Sequence, residues 1–149
     1  MSPAQEPSQV PSQVPRTDAA GPFEALFAEV VGAAGRFGHR EHVHVTWLAI
    51  RRHGTAAAVE LISDGIRRTA RYAGVPQKYH ATVSRAWVEL VACHDEPGEH
   101  DFDAFLARFP DLLDKRLLTR FYRSATLASE AARTGWVEPD LRPIPAGAH

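Results

Sequence analysis

The chain has 149 residues, enough for one domain with a real core and too few for two. Seventeen basic and 18 acidic residues leave a net charge of −1, which argues against a protein that coats nucleic acid. A single cysteine, Cys93, excludes an internal disulfide framework and any multi-cysteine metal site, and no apolar run is long enough for a membrane span.

Residues 1–21 are polar and Pro-rich. The stretch Pro7-Ser8-Gln9-Val10 repeats as Pro11-Ser12-Gln13-Val14, ahead of Pro15. Such a segment has little to bury, and its prolines block helix and sheet, so a disordered or polyproline-like tail is expected. It holds no apolar stretch of the secretory kind, so the cytoplasm is the expected compartment. Helical periodicity then begins. Pro22 can open a first helix with Phe23, Leu26, Phe27, Val30 and Val31 on one stripe, ended by Gly32 and Gly35. A second runs from about Arg40 to His53 with Val43, Trp47 and Ile50 inward, and Gly54 beyond it. A third covers about Thr55–Ala73, with Ala58, Leu61, Ile62 and Ile66 on its stripe, and Gly74-Val75-Pro76 stops it. A fourth is expected from Lys78 to His94 with Val83, Trp87, Leu90 and Val91 inward. After a polar loop, Asp101 caps a short helix bearing Phe102, Phe105 and Leu106. Pro110 is placed to start another, holding Leu112, Leu113, Leu117, Leu118 and Phe121, and a last short helix reaches Arg133. No strand is expected. The predicted fold is all-α, a compact bundle of about five to seven helices over residues 22–143, with a flexible tail over 144–149.

The histidines are not scattered evenly. His39 and His42 are three apart at the start of the second helix, and His39 lies on the Val43–Trp47 stripe. His80 stands three before Val83 and seven before Trp87, again on a buried stripe. Two helix starts that carry inward imidazoles can face each other across a bundle. An imidazole titrates near neutrality and serves as proton donor or acceptor. Three of them, or two with Glu41 or Glu89, would also suit a divalent transition metal. Glu89 lies beside the apolar stripe, where it can orient a histidine. Tyr79 and Tyr122 supply phenols, and Trp47 and Trp87 can wall an apolar pocket. The plainer alternative is structural: each histidine caps a helix start or packs. The cations are unevenly chosen, 15 Arg against two Lys, which marks Lys78 and Lys115 as the more individual residues.

Four ordered segments carry a resemblance: Phe37-Gly38-His39-Arg40-Glu41-His42, Lys78-Tyr79-His80-Ala81-Thr82, Asp111-Leu112-Leu113-Asp114-Lys115 with Arg120-Phe121-Tyr122, and Trp136-Val137-Glu138-Pro139-Asp140-Leu141. Over about residues 23–143 the chain resembles a family of small all-α bacterial proteins with the motif order FxHREH, KYHxT, DLLDK, WVxPDL. The resemblance implies that His39, His42, Tyr79, His80, Thr82, Asp114, Lys115 and Tyr122 belong to the pattern. It also carries an association with condensing enzymes of the Pictet-Spenglerase type from antibiotic gene clusters. The expected function is therefore a small enzyme of bacterial specialised metabolism that condenses or cyclises a small organic molecule by acid–base chemistry, without a cofactor. His42 and His80 are the expected proton-transfer pair, with Glu89 orienting and Tyr79 donating a hydrogen bond. His39, Trp47, Thr82, Trp87 and Tyr122 are the expected substrate-binding residues. One alternative is a divalent-metal enzyme using His39, His42 and His80 as ligands. Another is a non-catalytic helical protein that binds a small ligand. The expected partners are a small molecule and, as an open possibility, a second copy of the chain, with no nucleic acid or membrane.

Overall fold

A computed structural model describes residues 21–145; the expectations for residues 1–20 and 146–149 lie outside them. Among the described residues there is no strand, and seven α-helices form a bundle, as the periodicity predicts. They are α1 (Pro22–Ala34), α2 (His39–His53), α3 (Thr55–Tyr72), α4 (Ala81–His94), α5 (Phe102–Arg108), α6 (Ser124–Leu127) and α7 (Glu130–Thr134). Short 3-10 turns lie at Pro76–Lys78, Pro110–Leu113 and Lys115–Arg120. No helix of the described residues is long and apolar enough to cross a membrane.

The starts of α1 and α2 share one chemical device. In α1, Pro22 sits in the first turn, and Glu24 accepts a 2.9 Å hydrogen bond from the Gly21 N–H. In α2, Glu41 does the same for Gly38 at 2.8 Å, and this bond holds its buried carboxyl below the usual carboxylate range. Phe37 precedes the cap and meets the His42 ring edge-on, centroids 6.4 Å apart, in the positions of a hydrophobic staple. The FGHREH segment is thus, first of all, a helix-starting device.

Packing centres on α2 and α4. Helix α2 touches α1, α3 and α4, and accordingly buries Val45, Thr46 and Ala49 beside the expected Val43, Trp47 and Ile50. Gly54, at φ +86° and ψ 162°, is a one-residue joint between α2 and α3 that a side chain would strain. Gly65 of α3 lets the Phe23 ring of α1 come so close that a Cβ built there would lie 2.2 Å from it. Trp47 is fixed among Phe102 and Phe105 and donates from Nε1 to Asp95 (3.1 Å), which also holds Arg51 at 2.7 Å.

Three predicted elements differ, and the last short helix is one of them: it is split into α6 and α7, the Ser129 hydroxyl accepting from the Ala132 N–H to start the second. Helix α4 starts at Ala81 rather than Lys78, because Pro76 sets a 3-10 turn and the His80 side chain caps the helix itself. The helix expected from Pro110 is two 3-10 turns instead. Asp114 interrupts it by accepting from the Arg116 N–H at 2.9 Å, so Asp114 serves this cap and pairs with Arg116 rather than Lys115. Beyond α7 the chain is strapped down. Thr82 Oγ1 donates to the Gly135 carbonyl (2.6 Å) and accepts from the Val137 N–H (3.1 Å), while the Tyr122 hydroxyl donates to the Val137 carbonyl (2.7 Å). Ile144 lies partly buried against the core.

Candidate functional site

An open groove of about 550 Å³ runs between the starts of α2 and α4 and the 3-10 turn carrying Lys115. His39, His42, His80 and Trp87 all line it, so the two helix starts do face one another, as the stripes predict. The three imidazoles, however, are in different chemical states.

His80 is fully engaged. As the cap of α4 its Nδ1 accepts from the Val83 N–H at 3.1 Å, and its Nε2–H donates to the Leu127 carbonyl at 2.7 Å. Those two bonds occupy both ring nitrogens and leave neither free to meet a substrate. His39 is half engaged: its Nε2–H donates to the Leu112 carbonyl at 2.9 Å, and its ring stands edge-on to Trp87 at 4.6 Å. It ties the Pro110–Leu113 turn to the start of α2. Desolvation first, and then the nearby Lys115 ammonium, push its pKa down.

His42 is the exception. Its Nε2 is fully enclosed and has no hydrogen-bond partner; among the described residues only Thr55 Oγ1 shares that condition. Burial, reinforced by the neighbouring His39, depresses its pKa to about 4, so the ring is neutral at physiological pH. An unpaired buried polar atom costs about 1–3 kcal/mol. A groove-lining ring that bears this cost is relieved of it if the ring turns to meet a polar group on something that enters.

The remaining expected site residues lie elsewhere. Glu89 pairs with Arg85 at 2.7 Å, and Arg85 in turn covers Trp136 at 4.2 Å; among the described residues no hydrogen bond or ion pair joins Glu89 to a histidine. Thr82 and Tyr122 clamp the C-terminal segment, and burial with the Glu138 and Glu89 charges raises the Tyr122 pKa. Trp47 packs in the aromatic cluster around Asp95. Tyr79 faces a different, larger hollow of about 770 Å³ beside α1 and α3, where Asp64, Arg67 and Arg68 satisfy one another. Cys93 donates to the Leu90 carbonyl at 3.2 Å, and burial pushes its thiol up to about 11, out of nucleophile range.

The three-histidine metal site fails on its donors. His80 has no lone pair to give, Glu41 is committed to Gly38, and no group of three His, Cys, Asp or Glu among the described residues could hold an ion.

The structure adds Phe37, Lys78, Ser84 and Lys115 to the groove. The lysines carried a signal in the sequence, being the only two in an arginine-rich chain. Ser84 carried one too, standing four after His80 and three before Trp87 on the inward stripe of α4, but a count of apolar residues passes over it. No protein-family model, no curated protein and no solved structure matches this chain.

Proposed function

We propose that this protein is a small-molecule enzyme of acid–base type, with its substrate in the α2–α4 groove and His42 as the proton acceptor. The carrying observation is that His42, a residue lining the groove, holds an enclosed Nε2 with no partner, which a turn of the ring would present to a bound molecule. A neutral imidazole there can accept a hydrogen bond and then a proton from a hydroxyl, an amine or an acidic carbon. The resulting imidazolium is poorly solvated, so it returns the proton rather than storing it. An anion formed or bound alongside raises the basicity of the ring toward the working pH, which favours transfer once substrate is in place.

The kind of condensation is narrowed by charge. Two exposed lysines line the groove and, among the described residues, no carboxylate does, a solvent-screened balance that leans against the cationic iminium of a Pictet-Spengler reaction. It favours proton abstraction that leaves negative charge, such as enolate formation before a condensation or ring closure. The resemblance to proteins of antibiotic clusters supports a setting in small-molecule biosynthesis.

The test is hydrogen exchange in D2O, followed by NMR, on a panel of ketones, phenols and 2-oxo acids. The native protein should speed deuterium incorporation at an acidic carbon of at least one compound, and His42→Leu should remove the acceleration. Equal rates with both proteins across the panel would end this reading. A second reading, a ligand carrier without turnover, is favoured by the engagement of His80, which leaves His42 without a second free imidazole in the groove. It predicts His42-dependent binding with no exchange.

A further inference from the structure

The groove has a distinctive charge pattern. Both lysines of the whole chain, Lys78 and Lys115, line this one groove, although they are 37 positions apart in sequence and sit in different 3-10 turns. Most arginines are paired with carboxylates, among them Arg40 with Asp103, Arg52 with Glu29 and Arg108 with Glu96. Among the described residues neither lysine makes an ion pair, and Asp114, next to Lys115 in sequence, is held by Arg116. The groove is therefore lined by two lysines without ion-pair partners, although the Asp114 carboxylate lies near enough to oppose Lys115 at His39. Its other surfaces are largely apolar: Ile66, Val83, Leu118 and Leu127, with the buried Trp87 and the 39% exposed Phe37 as the two aromatic rings of the lining. Aromatic rings in such a lining favour contact with a planar ring.

We propose that the groove binds an aromatic carboxylate, with the anionic end held by Lys78 and Lys115, the ring against Trp87 and Phe37, and a hydrogen-bond donor meeting His42 Nε2. The carboxylate answers the lysines, the ring covers the apolar walls, and a hydroxyl or ring N–H satisfies the orphaned nitrogen. A purely aliphatic anion leaves the aromatic walls wet, and a cationic amine meets like charge. The substrate class rests on the functional reading above, which places a small molecule beside His42.

Three matched probes separate these demands: indole-3-acetate, its neutral amide indole-3-acetamide, and the cation tryptamine. Saturation-transfer NMR and titration calorimetry on the full chain read their binding. The expected order is carboxylate over amide over amine, with the carboxylate weakened about tenfold by the double variant Lys78→Ala/Lys115→Ala and by raised salt. His42→Leu should weaken carboxylate and amide alike. Equal binding of all three probes, unchanged carboxylate affinity in the lysine double variant, or no binding of the carboxylate would each overturn the proposal. Amide binding that depends on His42 but not on the lysines would defeat the anion alone and leave the functional reading standing. Loss of His42 dependence for every probe would defeat both.

Discussion

His42 and His80 sit on facing helix starts and line the same groove, yet their hydrogen bonds give them opposite parts. Replacing an orphaned buried polar group by an apolar one of similar size removes a desolvation cost. His42→Leu is therefore expected to raise stability by about 1 kcal/mol in urea unfolding while weakening ligand binding. A destabilised variant would mean that Nε2 has a partner in solution. His80 should behave in the reverse way. His80→Ala removes both the cap of α4 and the bond to Leu127, and should cost about 1–2 kcal/mol. His80→Asn, an accepted capping residue, should recover part of that loss. If His80→Ala abolished turnover while leaving the unfolding curve unmoved, the capping role would be wrong and a proton-transfer role restored.

At the scale of elements, α1 and α3 meet at a contact that only glycine permits. In an exposed helix interior Gly→Ala would stabilise by about 1 kcal/mol. At Gly65 the new Cβ meets the Phe23 ring, so Gly65→Ala should instead destabilise by about 1–3 kcal/mol. Adding Phe23→Leu should relieve part of the penalty, and a thermal melt of the three variants checks both signs. The sequence made α1, α2, α3 and α5 legible because their apolar stripes run unbroken between glycine, proline and acidic caps. It misled where side chains act on the local backbone: the imidazole of His80 sets the start of α4, and the carboxylate of Asp114 breaks the helix after Pro110. The site was legible in the same partial way. Helix faces place His39, His42, His80 and Trp87 together, since periodicity reports which stripe is inward. Periodicity does not report what each ring nitrogen bonds, and that depends on Leu112 and Leu127, carbonyls 73 and 47 positions away. Glu89 was misplaced for a related reason: its line along α4 turns toward Arg85 and Trp136, away from the groove.

For the molecule as a whole, His42, His39 and His44 all titrate below the ordinary histidine value of 6.5, with burial the leading cause in each. The unfolded chain binds protons at these sites more readily than the fold does. Stability is therefore full above about pH 6.5 and falls on acidification, with the His42 contribution lost down to about pH 4. Each such group adds up to about 1.4 kcal/mol per pH unit within its window. Melting temperature between pH 7 and pH 4.5 should drop, and should drop less steeply in His42→Leu. An identical slope in that variant would show that His42 is not the buried group described.

The most direct measurement is the ring 15N NMR titration of His42 from pH 8 to pH 4, assigned by its loss in His42→Leu and repeated with indole-3-acetate. The account predicts a neutral ring down to a midpoint near 4 in the free protein, and a shift of the His42 ring nitrogens together with a higher midpoint once the carboxylate is bound. A free-protein midpoint near 6.5, unmoved by the ligand, would contradict it.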